Sequence, residues 1–537
     1  MSGSDIRADL SQPRNAGEEQ AIAEGIPLRV YRRRWRILGV LCLALSATML
    51  ANTSLGVALP YLARDLQASM AQQQWFNNAY ALVFAGLLFT TSTIADRYGR
   101  KLVLQTGMIL FGAASLYVWL WVDSSAELIA ARAVLGLGAA MIMPVTLSIL
   151  TSVFTSAERT RAVSLWAAVS GGGTALGPVV AGLLLEISTW QSVFAINLPV
   201  VVVGVLAGFW LIPSRTSTAT STGGGIDLPG ALLSTAGITL VVYALIEAQH
   251  VGWTAPRTLV LTAAGLVLVA LFALWESRAE QPMLDVSLFR NTAFSASAVV
   301  ITLVFFAMVG VFFSLSQTLI LIFGYSPLNA SLSLLPMTVV MVLIAPQIPE
   351  LVRKFGPRTA IAGGMVVSAA GMVALSTLDA DSGYWHLLGG LAVTALGMSV
   401  AMAPATDVLM ANVPRERAGM GSATNDVTRE VGASLGVAVL GSVLGSSYAA
   451  QLTGSVAALP DQAQQLAKQS LAGGLQVATS LGQHGLQLVH DVRAAWMHGL
   501  QVAHLVGAGL ILLAALVAWV WLPRSTADRE PGHRSLR

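Results

Sequence analysis

The feature that most limits what this chain can become is a succession of apolar runs separated by short islands of charge. Each run is near or above the roughly 20 residues that a helix needs to cross a bilayer core. Lipid offers a peptide group no hydrogen-bond partner, so runs of this kind must be helices. Read in order, they give fourteen expected spans: 37–59, 75–95, 102–121, 127–150, 163–185, 193–212, 228–247, 258–275, 293–315, 331–350, 359–377, 386–410, 421–447 and 499–522. Only 11% of the 537 residues are charged and 55% are hydrophobic, whereas a soluble domain carries roughly a quarter charged. The expected class is an all-α polytopic membrane protein.

Basic residues give the orientation, because cytoplasmic loops accumulate Lys and Arg. With both termini cytoplasmic, Arg64, Arg257, Lys468 and Arg493 fall outside and Arg132 and Arg429 lie within spans, leaving the other 24 of the 30 inside. Shifting the frame by one span destroys this asymmetry. The net charge of +3 therefore reflects membrane orientation and not nucleic-acid binding. Residues 1–35 are polar and expected to be disordered. "RRRWR" then precedes a first span too long, and without a clear small-residue cleavage site, to be a removable signal peptide. One loop is long, 449–498, with an apolar period near 463–492 that suggests one or two surface helices capping the outer face. Residues 523–537 form a cytoplasmic tail.

Several chemistries are excluded. No lysine follows a glycine, so there is no GxxxxGK[ST] phosphate loop, and HExxH is absent. The chain is expected not to be an enzyme and to need no cofactor or metal, which leaves secondary transport, a channel or a structural role. Cys42 is the single cysteine, which removes intrachain disulfides and Cys-based metal sites. His484, His490, His498 and His504 gather near the last span without ligand-type spacing, and read as interfacial or as a metal or proton sensor.

Some signals carry more than hydropathy. In "STIADRYGRK", Asp96, Arg97, Gly99, Arg100 and Lys101 make a tight charged turn: Gly99 permits the turn and Asp96 can meet a helix dipole, which suggests a gating loop. In "LIAARAVLGLGAA", Arg132 lies about a turn inside the membrane. A lone charge there costs a few kcal/mol or more, and Gly136, Gly138, Ala139 and Ala140 form a small face for close packing, so Arg132 should point into the bundle. In "GGGTALGPVVAG", Gly173, Gly177, Pro178 and Gly182 put glycine and proline in mid-span, the composition of a hinge or a sealed helix contact between bundles.

These stretches, with "QWFNNAYAL", "WQSVFAINLP", "LFRNTAF", "FGYSPLNA" and "TREVGASLGVAVLGS", resemble the fourteen-span drug:proton antiporters of the major facilitator superfamily over nearly the whole chain after residue 36. The resemblance implies a major facilitator fold, with a six-helix bundle at 36–212, a linker with two extra transmembrane helices at 213–290 and a second bundle at 291–522. It implies a bacterial inner-membrane exporter, expected to be a monomer, whose partners are lipophilic small molecules, protons and membrane lipids. Candidate walls of its substrate cavity are Asn52, Trp75, Tyr80, Trp166, Asn197, Phe312 and Gln317. The departures are informative. Family members carry an aspartate in the first span where "LANTSLGVALP" has Ala51, and an asparagine where it has Gly56. The Tyr-Leu-Gln before "GYS" is Thr318, Leu319 and Ile320 here.

With Ala51 in place of the acid, another group would carry the proton, and Asp426 is the leading candidate. Its i, i+3 spacing to Arg429 and i, i+4 spacing to Glu430 put the three on one helix face. The alternative is that Asp426 merely caps a helix starting near Gly421. Asp407 and Glu247 read as interface acids. Three functions remain open: proton-coupled multidrug efflux, dedicated export of an endogenous lipid or metabolite, and a non-transporting sensor or scaffold that has kept the fold.

Overall fold

The computed structural model describes residues 15–213, 227–279, 282, 284–380, 382–413 and 418–522, and the secondary structure there is helical throughout. Helix α1 (Ala16–Ala23) leads to α2 (Leu28–Asp65), α3 (Met70–Tyr98), α4 (Arg100–Trp121), α5 (Ser125–Val153), α6 (Ser156–Ile187), the single turn α7 (Ser192–Ala195) and α8 (Asn197–Leu211). A pair comes next, α9 (Leu228–Val251) and α10 (Pro256–Glu276). The second series is α11 (Thr292–Gln317), α12 (Pro327–Ile344), α13 (Ile348–Ser376), α14 (Tyr384–Ala411), α15 (Ala418–Leu452), the short α16 (Asp461–Gln469) and α17 (Leu471–Ser480), and α18 (Leu486–Trp521). Twelve of the expected spans fall on one long helix each, whereas 331–350 runs past the end of α12 into α13 and 193–212 takes in α7 as well as α8. Among the described residues, eleven stretches are long and apolar enough to cross a membrane. The number is below fourteen because α3 is not among them, α6 contributes only the shorter Gly172–Ile187, and α12 and α13 run together as Pro327–Ser376.

Two boundaries differ from expectation. The segment before the first span is not wholly disordered. Asn15 caps α1 by accepting from Glu18 N at 2.9 Å, and Arg32 grips the Glu18 carboxylate with Nε and Nη2 at 2.9 and 3.0 Å. At the other end, α18 starts at Leu486, well before residue 499. Its polar beginning lowers the hydropathy, yet Leu488, Val492, Ala495 and Trp496 are buried along one side, so packing continues the helix where apolarity lapses. Tyr448 fastens the short helices beside it, its hydroxyl donating to Ala467 O at 2.8 Å.

The long helices form two groups built alike. Numbering six in each, helix 1 packs on 4, 5 and 6, helix 2 on 4, and helix 3 on 4 and 6, in α2–α6 with α8 and again in α11–α15 with α18. The repeat extends to the backbone. Gly99, between helices 2 and 3 of the first group, has φ +107°, and Gly356, at a kink near the start of α13 in the second, has φ +78°, a region that favours glycine. The groups meet through matching pairs: α3 on α15, α6 on α12, and α2 on α11. Helix α9 lies over the α3–α15 joint, touching both, with Leu82, Val242, Ile246 and Ala438 in one apolar cluster, while α10 packs chiefly on α9. The glycines explain this closeness. A Cβ at Gly86 would strike Thr235, and one at Gly237 would meet Val269 at 2.9 Å.

At the arginine-rich end, Arg34 holds Glu158 with Nε and Nη2 at 2.6 and 2.7 Å, tying α2 to the start of α6 ahead of the apolar core of either span. The hydrogen bonds from Arg34 hold the Glu158 carboxyl below its ordinary 4.5. A carboxylate whose pKa falls on folding adds stability that is complete above the unfolded value and lost as pH falls through the folded one. Glu158→Gln should therefore lower stability by ~1 kcal/mol near neutral pH. In thermal unfolding of the two proteins, the gap should close below about pH 4. A gap unchanged by acid would contradict this.

Candidate functional site

Helix α5 places its arginine through the small residues of its next turn. A Cβ on Gly136 would collide with Tyr80 O, and one on Gly138 would come within 2.9 Å of Gly107 O, so α5 can lie tight between α3 and α4. Arg132, one turn before Gly136, then meets α3 and is fully buried. Its Nε donates to Phe76 O at 2.7 Å and Nη1 to Ala51 O at 3.4 Å, and its guanidinium stands 4.5 Å from the Tyr80 ring centroid. Nη2 has no hydrogen-bond partner. The cation that should face the bundle interior does so, and its second carbonyl belongs to Ala51, the residue standing where the resemblance implies an acid.

Helix α15 carries the opposing charges. A Cβ on Gly432 or Gly436 would strike the carbonyl of Thr302 or Phe306, so this side of α15 is pressed on α11. The helix starts at Ala418, with no acid in its first turn, so Asp426 lies two turns inside and is not a cap. Asp426, Arg429 and Glu430 are each half-buried. Glu430 is within electrostatic reach of Arg132 and Tyr80 across the joint, as well as of Asp426 and Arg429 on its own helix. Asp426 accepts from Asn425, while the Arg429 guanidinium sits 5.3 Å from the Phe305 ring and its Nε is unpartnered. Among the described residues, no direct ion pair closes the Asp426–Arg429 spacing.

The remaining candidates divide. Tyr80 stacks on Phe84 beneath Arg132. Gln317 and Asn197 are fully buried, Gln317 with Oε1 unpartnered and Asn197 with both side-chain polar atoms unpartnered. Asn52 and Phe312 are half-buried, and Trp166 is held by Thr146 Oγ1 at 3.2 Å. Trp75 does not belong with them: it lies under α9, 6.2 Å from Tyr243. Glu247 pairs with Arg257 at 3.7 Å. In the loop motif, Arg97 is exposed, Arg100 Nη1 donates to Ser148 O at 3.3 Å and Lys101 Nζ to Phe209 O at 2.7 Å, so the turn is bound within its own group. The Asp96 and His484 side chains lie outside the described residues. His490 and His498 edge a hollow of about 460 Å³ with Asp379 and Arg493, while His504 is buried. No metal-binding cluster is found among the described residues.

The glycine-proline stretch divides too. Gly173 and Gly177 face α2 of their own group, where a Cβ would meet Met49 or strike Thr53 Oγ1. Only its far end reaches the other group: a Cβ on Gly182 would lie 2.7 Å from Pro327 O, and Ser331 Oγ donates to Pro178 O at 2.7 Å. Spacing defines a helix face and not the neighbour that fills it. Two more hydrogen bonds join the groups toward the same arginine-poor end, Ser316 Oγ to Gly56 O at 2.5 Å and Gln74 Nε2 to Ser442 Oγ at 3.3 Å. Gln74 and the buried, unpartnered Asn78 were passed over in the sequence, although the polar run "QQQWFNN" inside an expected span was the signal.

Repeated six-helix groups around a buried charged joint define a membrane transporter and not an enzyme. The Major Facilitator Superfamily model matches residues 41–437, and the chain belongs to that family. It is 31% identical over 512 residues to a tetracenomycin C resistance and export protein of Streptomyces glaucescens, covering 93% of this chain and 94% of that one. It is 32% identical over 501 residues to a multidrug efflux pump of Mycolicibacterium smegmatis, covering 93% and 98%. In shape it is similar to an inward-facing, occupied bacterial homologue of the human lysosomal transporter Spinster, with a TM-score of 0.64, 17% identity, and 93% and 99% of the two chains covered.

Replacing a whole buried ion pair by apolar residues of similar volume is often neutral or stabilising, but removing one charge from beside its partner costs ~3–5 kcal/mol. Arg132→Met, which leaves Phe76 O, Ala51 O and Glu430 without their cation, should therefore lower stability by ~3 kcal/mol and abolish transport in the protein that remains folded. Thermal unfolding and dye export measured side by side decide this: a Met variant that transports normally would show that the arginine is there for packing alone.

Proposed function

We propose that this chain is a proton-driven exporter of lipophilic, often cationic small molecules, spanning a bacterial inner membrane fourteen times with both termini in the cytoplasm. The observation that carries this is the joint of α3, α5 and α15, where a buried arginine fixed to Ala51 O faces Glu430 of the opposite group. The names of the multidrug and antibiotic-export relatives support the substrate class.

In this reading the proton carrier absent at Ala51 is supplied from across the joint. Ionised, Glu430 is drawn to Arg132 and holds α15 against α3. Protonated, it loses that attraction and the joint loosens. A substrate cation and a proton cannot both neutralise the same carboxylate, so each displaces the other, which is what exchange requires. Asp426, one turn nearer the arginine-rich end, meets the cation first. The bonds Ser331–Pro178, Ser316–Gly56 and Gln74–Ser442 close the outer side and must break as it opens. At ~1 kcal/mol net each they oppose opening by ~3 kcal/mol. One proton moving down about 100 mV and one pH unit releases ~3.7 kcal/mol, which is enough.

Two variants test the parts separately. Glu430→Gln in proteoliposomes with an imposed pH gradient should lose gradient-driven export while still binding cationic dye. Asp426→Asn should keep the coupling but bind cations severalfold more weakly. Full gradient-driven export by Glu430→Gln would overturn the assignment.

A third concerns closure. Gly182→Leu, wedged between α6 and α12, should stop turnover while binding survives, whereas Gly509→Leu, whose Cβ would meet nothing within 4 Å, should leave both unchanged. Equal turnover in the two would show that this contact is packing without mechanism. Gly204, in an apolar run, is no substitute for that control, because a Cβ there would strike Met108.

A further inference from the structure

The arginines at the start of α2 are not one cluster but two sets with different surroundings. Arg32 is engaged by Glu18 and Arg34 by Glu158, each through two hydrogen bonds. Arg34 also lies over the Tyr31 ring at 3.6 Å. Arg29, Arg33 and Arg36 are exposed and make no hydrogen bond, ion pair or ring contact with any described residue. Their spacing of four and three puts them on one helix face, away from the side that meets α6. Over the seven steps from Arg29 to Arg36 the helix rises about 10 Å, comparable with the Debye length at ~0.1 M salt, so a ligand feels the three charges together.

The residues below the stripe on the same face identify the surroundings. Ile37 is buried and opens the apolar core of α2. Val40, one turn on from Arg36, packs beside Gly208 of α8. At that end of α8, Phe209 and Trp210 are 63% and 77% exposed on the outside of the protein, and Lys101 Nζ sits 5.2 Å from the Phe209 ring. Exposed aromatics at a helix end mark the depth where hydrocarbon gives way to headgroups. Three unpartnered guanidinium groups therefore stand just beyond that depth, above an apolar, aromatic wall.

We propose that Arg29, Arg33 and Arg36 form a binding stripe for the phosphate headgroups of anionic phospholipids, with Phe209 and Trp210 against the acyl chains. Guanidinium suits phosphate because its donors match the oxygens in pairs, and a basic residue close to an anionic membrane surface contributes about fivefold to partition. The neighbouring arginines cannot serve, since Glu18 and Glu158 already neutralise them. The proposal concerns lipid binding alone and is independent of how transport is coupled.

The test uses the full chain, purified in a neutral detergent and titrated with phosphatidylglycerol or phosphatidylcholine, with bound lipid counted by native mass spectrometry. Wild type should bind phosphatidylglycerol at least tenfold more tightly than phosphatidylcholine, and inorganic phosphate at millimolar concentration should displace it poorly. The triple variant Arg29→Gln, Arg33→Gln, Arg36→Gln should lose the preference. A variant with the same loss of charge elsewhere at the arginine-rich end, Arg278→Gln, Arg353→Gln, Lys354→Gln, should retain it. An unaltered melting curve for the first variant would show that lost binding is not lost folding. Equal loss in both variants would overturn the proposal, as would retention in the first or ready displacement by free phosphate.

Discussion

The structure turns on one buried cation. Placing a guanidinium inside a membrane protein costs several kcal/mol unless its donors are engaged, and Arg132 is engaged by two backbone carbonyls and a tyrosine ring rather than by a carboxylate within its own group. Its charge is thus held in place without being neutralised. That leaves it available to an acid approaching from the other six helices, and α15 supplies Glu430 at the joint where the groups meet. A local ion pair would have stabilised the first group just as well and left nothing to couple the two.

Close helix approach makes this arrangement possible, and it comes from missing side chains. Gly136 and Gly138 let α5 sit between α3 and α4, and Gly432 and Gly436 seat α15 on α11. Because the two groups repeat the same pairings, contact between them concentrates at three joints, and among the described residues each joint carries a hydrogen bond toward the arginine-poor end. Helix α9 covers one of these joints, so the joints are not equivalent toward lipid. The α6–α12 contact is closed at Gly182 and Ser331, while from Thr338 to Gln347 no residue of the chain is buried.

Much of this was legible in the sequence, for reasons that also show where reading stops. Lipid forces an apolar run to be helical, so the long helices could be read from hydropathy. The interior position of Arg132 followed from the small residues in its next turn. Hydropathy could not show helix sustained by packing: α18 continues through a polar stretch because Leu488, Val492 and Trp496 find neighbours, and α1 forms because Glu18 finds Arg32. Spacing put Gly173, Gly177 and Gly182 on helix faces but could not say that the first two meet Met49 and Thr53 while the third meets Pro327. Likewise, Asp426 stood out beside Arg429, its near neighbour in sequence. Glu430 gains its significance from Arg132, which is distant in sequence and comes within electrostatic reach only in the fold.

The central claim is that one carboxylate at the α3–α15 joint exchanges a proton for a cationic substrate. The most direct measurement is proton release by the purified protein in weakly buffered detergent solution near neutral pH, on addition of a cationic dye that it binds. The account predicts release from wild type that saturates with dye binding, and none from Glu430→Gln at matched occupancy. Undiminished release from Glu430→Gln, or dye binding to wild type with no release at any pH between about 5 and 8, a range spanning the usual stability optimum, would contradict it.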